Sequence, residues 1–128
     1  MEIDAASAHQ EIRQESLDPM VNSVCHCACL SLKGPIDVET LRELLRRVRT
    51  TVPGLIELHF GENDMKAYPN KTDSANGKTH TIFSRHQNGH YLKVYHNHPA
   101  RVQLMKYLQN FTDGPATVLD FVSVSSNL

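Results

Sequence analysis

The chain has 128 residues, enough for one domain of ordinary size whose core needs neither disulfide nor metal to hold it. Hydrophobic residues make up 40% and charged residues 21%, and 13 basic side chains face 14 acidic ones. Such a composition excludes disorder throughout, and the near-neutral balance makes nucleic acid an unexpected partner. No apolar run approaches the ~18 residues of a membrane span, and MEIDAASAHQ lacks the basic and apolar regions of a secretory signal, so no membrane partner and a cytoplasmic location are expected.

Residues 1–20 are polar and poor in large apolar groups, and Asp18-Pro19 closes them with a turn signal; they read as a flexible extension ahead of a domain at 21–128. Val24 to Leu32 is a first strand, with His26, Ala28 and Leu30 on one face and Cys25, Cys27 and Cys29 on the other. Three cysteines so regularly spaced along one strand are expected as reduced thiols packing against a sheet, without metal. After Pro35 the period changes. Leu41, Leu44, Leu45 and Val48 mark an amphipathic helix with Asp37 as its N-cap, stopped at Val52-Pro53-Gly54. Leu55 to Phe60 alternates as a second strand, residues 62–78 are a long polar loop, and Thr79 to Ser84 is a short third strand. His80 in that strand is placed near the cysteine face or a dimer seam. A helical turn at His90 to Tyr95 bends near His98, because Pro99 disfavours helical geometry in the residue before it. The helix resumes from Val102 to Phe111, Asp113-Gly114-Pro115 closes it, and Ala116 to Val124 is the last strand.

The order strand, helix, strand, strand, helix, strand is the ferredoxin-like split unit, an α+β protomer with a four-stranded antiparallel sheet. Both helices cover one face of that sheet. The opposite face carries small and apolar groups, so a homodimer through the sheet face is expected.

Candidate chemistry concentrates in Tyr95-His96-Asn97-His98-Pro99-Ala100-Arg101, where a phenol, two imidazoles, an amide and a guanidinium meet a proline-induced bend. His98 suits acid–base work near neutrality, Tyr95 a hydrogen bond to an oxyanion, and Arg101 the grip on an anion. No cofactor is expected. Glu62 and Asp64 lie close together in the long loop but form no acidic cluster able to hold a cation strongly.

At these residues the sequence resembles the stress-responsive dimeric A/B barrel domain. The resemblance rests on the histidine in VCHCACLSL, PGLIELHFG, GKTHTIF, HPA after a tyrosine and the terminal VLDF, five motifs in order with matching spacings and covering Val24 to about Val124. It implies protomers joined through their sheets into an α+β barrel, each with a helix–sheet pocket for a small apolar or aromatic molecule, lined by His26, Ala28, Leu30, Ile82, Tyr95 and Arg101. Plant polyketide cyclases with this domain, such as olivetolic acid cyclase, close a ring with a tyrosine and a histidine; Tyr95 matches that tyrosine and His26 the strand-one pocket histidine. Their motif reads HPAH, and Arg101 stands in place of the second, catalytic histidine. A guanidinium cannot remove a proton at neutral pH, so cyclase or lyase chemistry on a small carbonyl compound would need His26 or His98 as base, with Tyr95 on the enolate. The resemblance thus implies either a stress-associated binding protein without an established reaction or an enzyme, and the two separate on whether His26, Tyr95 and His98 converge.

Overall fold

Alternation along VCHCACL produces β1 (Val24–Leu30), the strand on which the sheet is centred. The computed structural model describes residues 17–124. After β1 come α1 (Val38–Thr51), β2 (Leu55–Glu62), β3 (His80–His86), α2 (Gly89–Asn97), α3 (Pro99–Gln109) and β4 (Thr117–Val122). The strands form one antiparallel sheet in the order β2-β3-β1-β4, the arrangement expected of a ferredoxin-like unit.

The period-2 reading of β1 holds. His26, Ala28 and Leu30 lie on the helix-covered face, while Cys25, Cys27 and Cys29 share the other with Phe83 of β3 and with Leu119 and Phe121 of β4. All three thiols are free, and Thr81 Oγ1 bonds the sulfurs of Cys27 and Cys29 at 3.7 and 3.3 Å. His80 departs from expectation: it pairs with Leu30 on the helix-covered side, stacks beside Phe60 and bonds Thr79 Oγ1 through Nδ1. Strand parity decides this, because His80 is an odd step from Thr81 on the cysteine face.

The core lies between the sheet and the helices. Leu41, Leu44 and Val48 of α1 and Leu104 and Leu108 of α3 close over Ala28, Leu30, Leu58 and Ile82. The bend expected near His98 is present: the second helical region is two helices joined at His98, with Pro99 in the first turn of α3, where its missing N–H costs nothing. α2 lies across β1, β2 and β3, and α3 packs on α1 and α2; β4 sits beyond them at the sheet edge. Consequently the helix side of β4 is open, and Val118, opposite Ala28, is 49% exposed there.

The Asp18-Pro19 turn is present, and the Gly89 N–H donates to the Pro19 carbonyl, tying the start of the described chain to α2. The rest of the expected extension, residues 1–16, lies outside the described residues.

Candidate functional site

His26 stands on the helix-covered face of β1, opposite Asp120 of β4 on one side and Ser84 of β3 on the other. Its Nδ1 lies 2.5 Å from Asp120 Oδ1. A carboxylate only accepts, so the imidazole donates to it through Nδ1–H. The His26 side chain is 3% exposed and that of Asp120 is 46% exposed, so the pair runs from the core to the open edge of the sheet.

Above this pair the bend between α2 and α3 brings down Tyr95, His96 and Arg101. Ring centroids of His26 and His96 are 5.2 Å apart, those of His26 and Tyr95 6.0 Å, and those of Tyr95 and His86 4.7 Å. The Arg101 guanidinium carbon lies 5.7 Å from the Tyr95 ring centroid. Burial pushes the pKa of the Tyr95 phenol up, against the Arg101 charge and the nearby Ser84 and Arg101 polar groups, which favour its ionised form. Behind it His86, whose Nε2 bonds Ser84 Oγ at 2.8 Å, is lowered to about 4, first by burial and then by the nearby His26 and His96. His96 is lowered as well, by burial, Arg101 and His26 in that order, against the pull of Asp120. At neutral pH His86, buried behind Tyr95, and His96 are therefore neutral, with the Arg101 cation near His96 and the Asp120 carboxylate beside His26. Arg101 Nε and His86 Nδ1 are buried without a hydrogen-bond partner among the described residues.

The structure brings His26, Tyr95 and Arg101 together, and His98 does not join them. Its Nδ1 accepts the Ala100 N–H at 3.1 Å and caps α3. Its neighbours are His90, Lys93, Val94 and Asn97, along the outer side of α2, whereas Leu92 and Tyr95 point into the core. The physical reason is helical phase: three residues beyond Tyr95, after a break, the ring is used to satisfy an N–H that the new helix leaves unpaired. Ala28, Leu30 and Ile82, expected to line an open pocket, are packed core side chains in this conformation. Access is instead from the β4 side, where Val118 and Val122 flank Asp120 on the same face. A separate cleft of about 520 Å³ lies at the other end of the sheet, lined among others by Cys29, Glu62, Asn63, Lys78 and His80.

Sequence reasoning assigned no role to His96, Asp120, His86 or Ser84. An acidic residue inside the apolar strand TVLDFV was the available signal for Asp120. His96 stood in the stretch Tyr95-His96-Asn97-His98-Pro99-Ala100-Arg101 as one of its two imidazoles, and His86 and Ser84 had no signal, since their meaning depends on which elements meet.

No protein-family model matches the chain, and no match is found among curated proteins. Solved structures do match. A hydroxynitrile lyase from Passiflora edulis is 16% identical, with a TM-score of 0.65 over 83% of this chain and 97% of the other. An Arabidopsis thaliana protein is 22% identical, with a TM-score of 0.61 over 82% of this chain and 99% of its own. A dimeric ferredoxin-like protein of unknown function from Thermobifida fusca is 13% identical, with a TM-score of 0.60 over 80% and 92%. At these identities the likeness defines the fold, and the chain is a ferredoxin-like α+β protomer.

Proposed function

We propose that this chain is a homodimeric α+β barrel protein of the stress-responsive A/B barrel type that binds a small molecule at the mouth between β4 and the α2–α3 bend. The observation that carries the reading is the convergence of His26, paired with Asp120, on Tyr95, His96 and Arg101 beside the exposed Val118 and the half-buried Val122. An apolar ledge next to a few convergent polar groups suits a ligand with an apolar or aromatic body and an oxygen-bearing, preferably anionic, head. Arg101 takes the head and the valines take the body. Dimerisation through the cysteine face is supported by the exposure of Leu119 and Phe121 there and by the dimeric state of the Thermobifida fusca protein. The family resemblance extends the reading to a stress-associated role in the cytoplasm; no described helix is long and apolar enough to cross a membrane.

A second reading, an enzyme acting on a small carbonyl compound, is favoured by one specific feature. With Nδ1–H committed to Asp120, His26 presents Nε2 as a base, the carboxylate stabilises the imidazolium that forms, and the Tyr95 hydroxyl donates to the developing enolate oxygen. This assigns the base to His26, and His98 has no part in it.

Native mass spectrometry of the freshly purified protein tests the first reading. A dimer carrying a reproducible organic mass that is lost in Tyr95→Phe and Arg101→Ala supports it; a monomer, or a retained mass indifferent to both substitutions, overturns it. His26→Ala separates the two readings, since it abolishes turnover of a carbonyl substrate under the second and only weakens binding under the first.

A further inference from the structure

His26 of β1, His96 of α2 and Asp120 of β4 each offer a donor atom, and the three atoms lie within 4.8 Å of one another. From this juxtaposition we infer that the cluster is a binding site for a divalent first-row transition-metal ion, Zn(II) foremost, held by two imidazoles and one carboxylate with its remaining position open to solvent.

The donor set selects the class of ion. Mixed nitrogen and oxygen donors suit zinc, cobalt, nickel and iron(II), whereas calcium and magnesium favour shells of oxygen alone. The size also fits. Donors no more than 4.8 Å apart lie within ~2.8 Å of a common centre, and zinc takes such donors at about 2.0–2.1 Å, roughly 3.3 Å from one another, so the His26–Asp120 pair, 2.5 Å apart, opens and His96 closes by shifts under about 1 Å. Burial is graded in the sense a site needs: His26 is fixed in the core, His96 is half-buried on the rim, and Asp120 is exposed at the sheet edge. The two outer ligands have torsional freedom to close on an ion arriving from solvent, and the ion takes the place of the proton that His26 shares with Asp120.

Other groups facing the mouth set the limits. Arg101 brings a positive charge near His96 and opposes the ion, which points to moderate affinity and to an anion, hydroxide or a carboxylate, in the open position beside the guanidinium. His86, neutral behind Tyr95, adds no charge. The inference goes beyond the small-molecule reading and is tested without any substrate.

The full chain, stripped with a chelator, is titrated with Co(II) and followed by visible absorption, then with Zn(II) in competition. One Co(II) per chain, displaced by one equivalent of Zn(II), is the expected result. His96→Ala and Asp120→Asn each weaken binding at least tenfold, and His98→Ala, whose ring faces away, leaves it unchanged. Failure to take up cobalt stoichiometrically, or uptake that survives His96→Ala, overturns the proposal. Circular dichroism checks that each variant folds. On the unaltered chain, substoichiometric Co(II) broadens the imidazole NMR signals of His26 and His96 ahead of the other described histidines; earlier broadening of His59, His80, His90 or His98 also overturns it.

Discussion

Tyr95 and His98 are three residues apart, yet one is 1% exposed in the core and the other caps the next helix from outside. The difference makes them separable by substitution. His98→Ala removes an acceptor from the Ala100 N–H and is expected to cost about 1 kcal/mol of stability in urea denaturation, with ligand retention at the mouth unchanged. His86 supplies a pH dependence. Its pKa is lowered from 6.5 to about 4 in the folded chain, chiefly by burial. Above pH 6.5 both states are neutral at this group and it contributes no slope. As the pH falls from 6.5 to 4 the unfolded chain takes up the proton and the folded chain does not, so stability declines, levelling off below 4. The decline attributable to this one group is on the order of 3 kcal/mol. Denaturation at pH 7 and pH 4.5 is expected to show a smaller acid loss in His86→Gln, which keeps an amide near Ser84 but has nothing to protonate; an equal loss would place the acid sensitivity elsewhere.

Among the elements, the turn from α1 into β2 depends on one glycine. Gly54 has φ +74°, and a Cβ placed there would sit 2.2 Å from Tyr91 Cγ of α2. Its carbonyl also accepts the Gln87 N–H at 2.8 Å, joining this turn to the end of β3. Gly54→Ala meets backbone strain and a clash against an aromatic ring together, and is expected to cost at least ~2 kcal/mol in denaturant unfolding; a change within error would mean that α2 yields freely. β2 itself shows why strand parity read from one sequence is fragile. A bulge between Leu55 and Glu57 leaves Leu55 and Leu58 both against the core, and turns Ile56 outward, 55% exposed. β3 runs two residues past its expected end at Ser84, which brings His86 under α2.

For the whole molecule, the cysteine face is the unfinished surface. Leu119 is 65% exposed and Phe121 47% exposed, next to Cys27 and Phe83, with the Arg85–Glu57 ion pair at one end. Covering each of the two large side chains contributes roughly 1–2 kcal/mol, and in a twofold pairing every gain occurs twice. Under the proposed dimer, Cys27→Glu sets an unpaired carboxylate at the centre of that seam and is expected to yield monomer or aggregate by light scattering on a sizing column. Val38→Glu, on the exposed side of α1, leaves the assembly state as it was. A Cys27→Glu protein that still elutes as a dimer would mean that the copies meet elsewhere.

Local periodicity by itself determined the βαββαβ order, the split of β1 into a histidine face and a cysteine face, the long polar loop and the break at His98-Pro99. Each of these follows from side-chain spacing or backbone chemistry acting over a few residues, and the fold they define is the one observed. His26, Tyr95 and Arg101 were legible as candidate site residues through composition and the family-like motif. Tertiary structure alone decided that His98 caps a helix, that His96 and Asp120 close on His26, and that Ala28, Leu30 and Ile82 pack as core while the mouth opens beside β4. Those outcomes depend on helical phase across a bend, on strand register and on which edge the helices leave uncovered, all of them set by contacts between segments far apart in the chain.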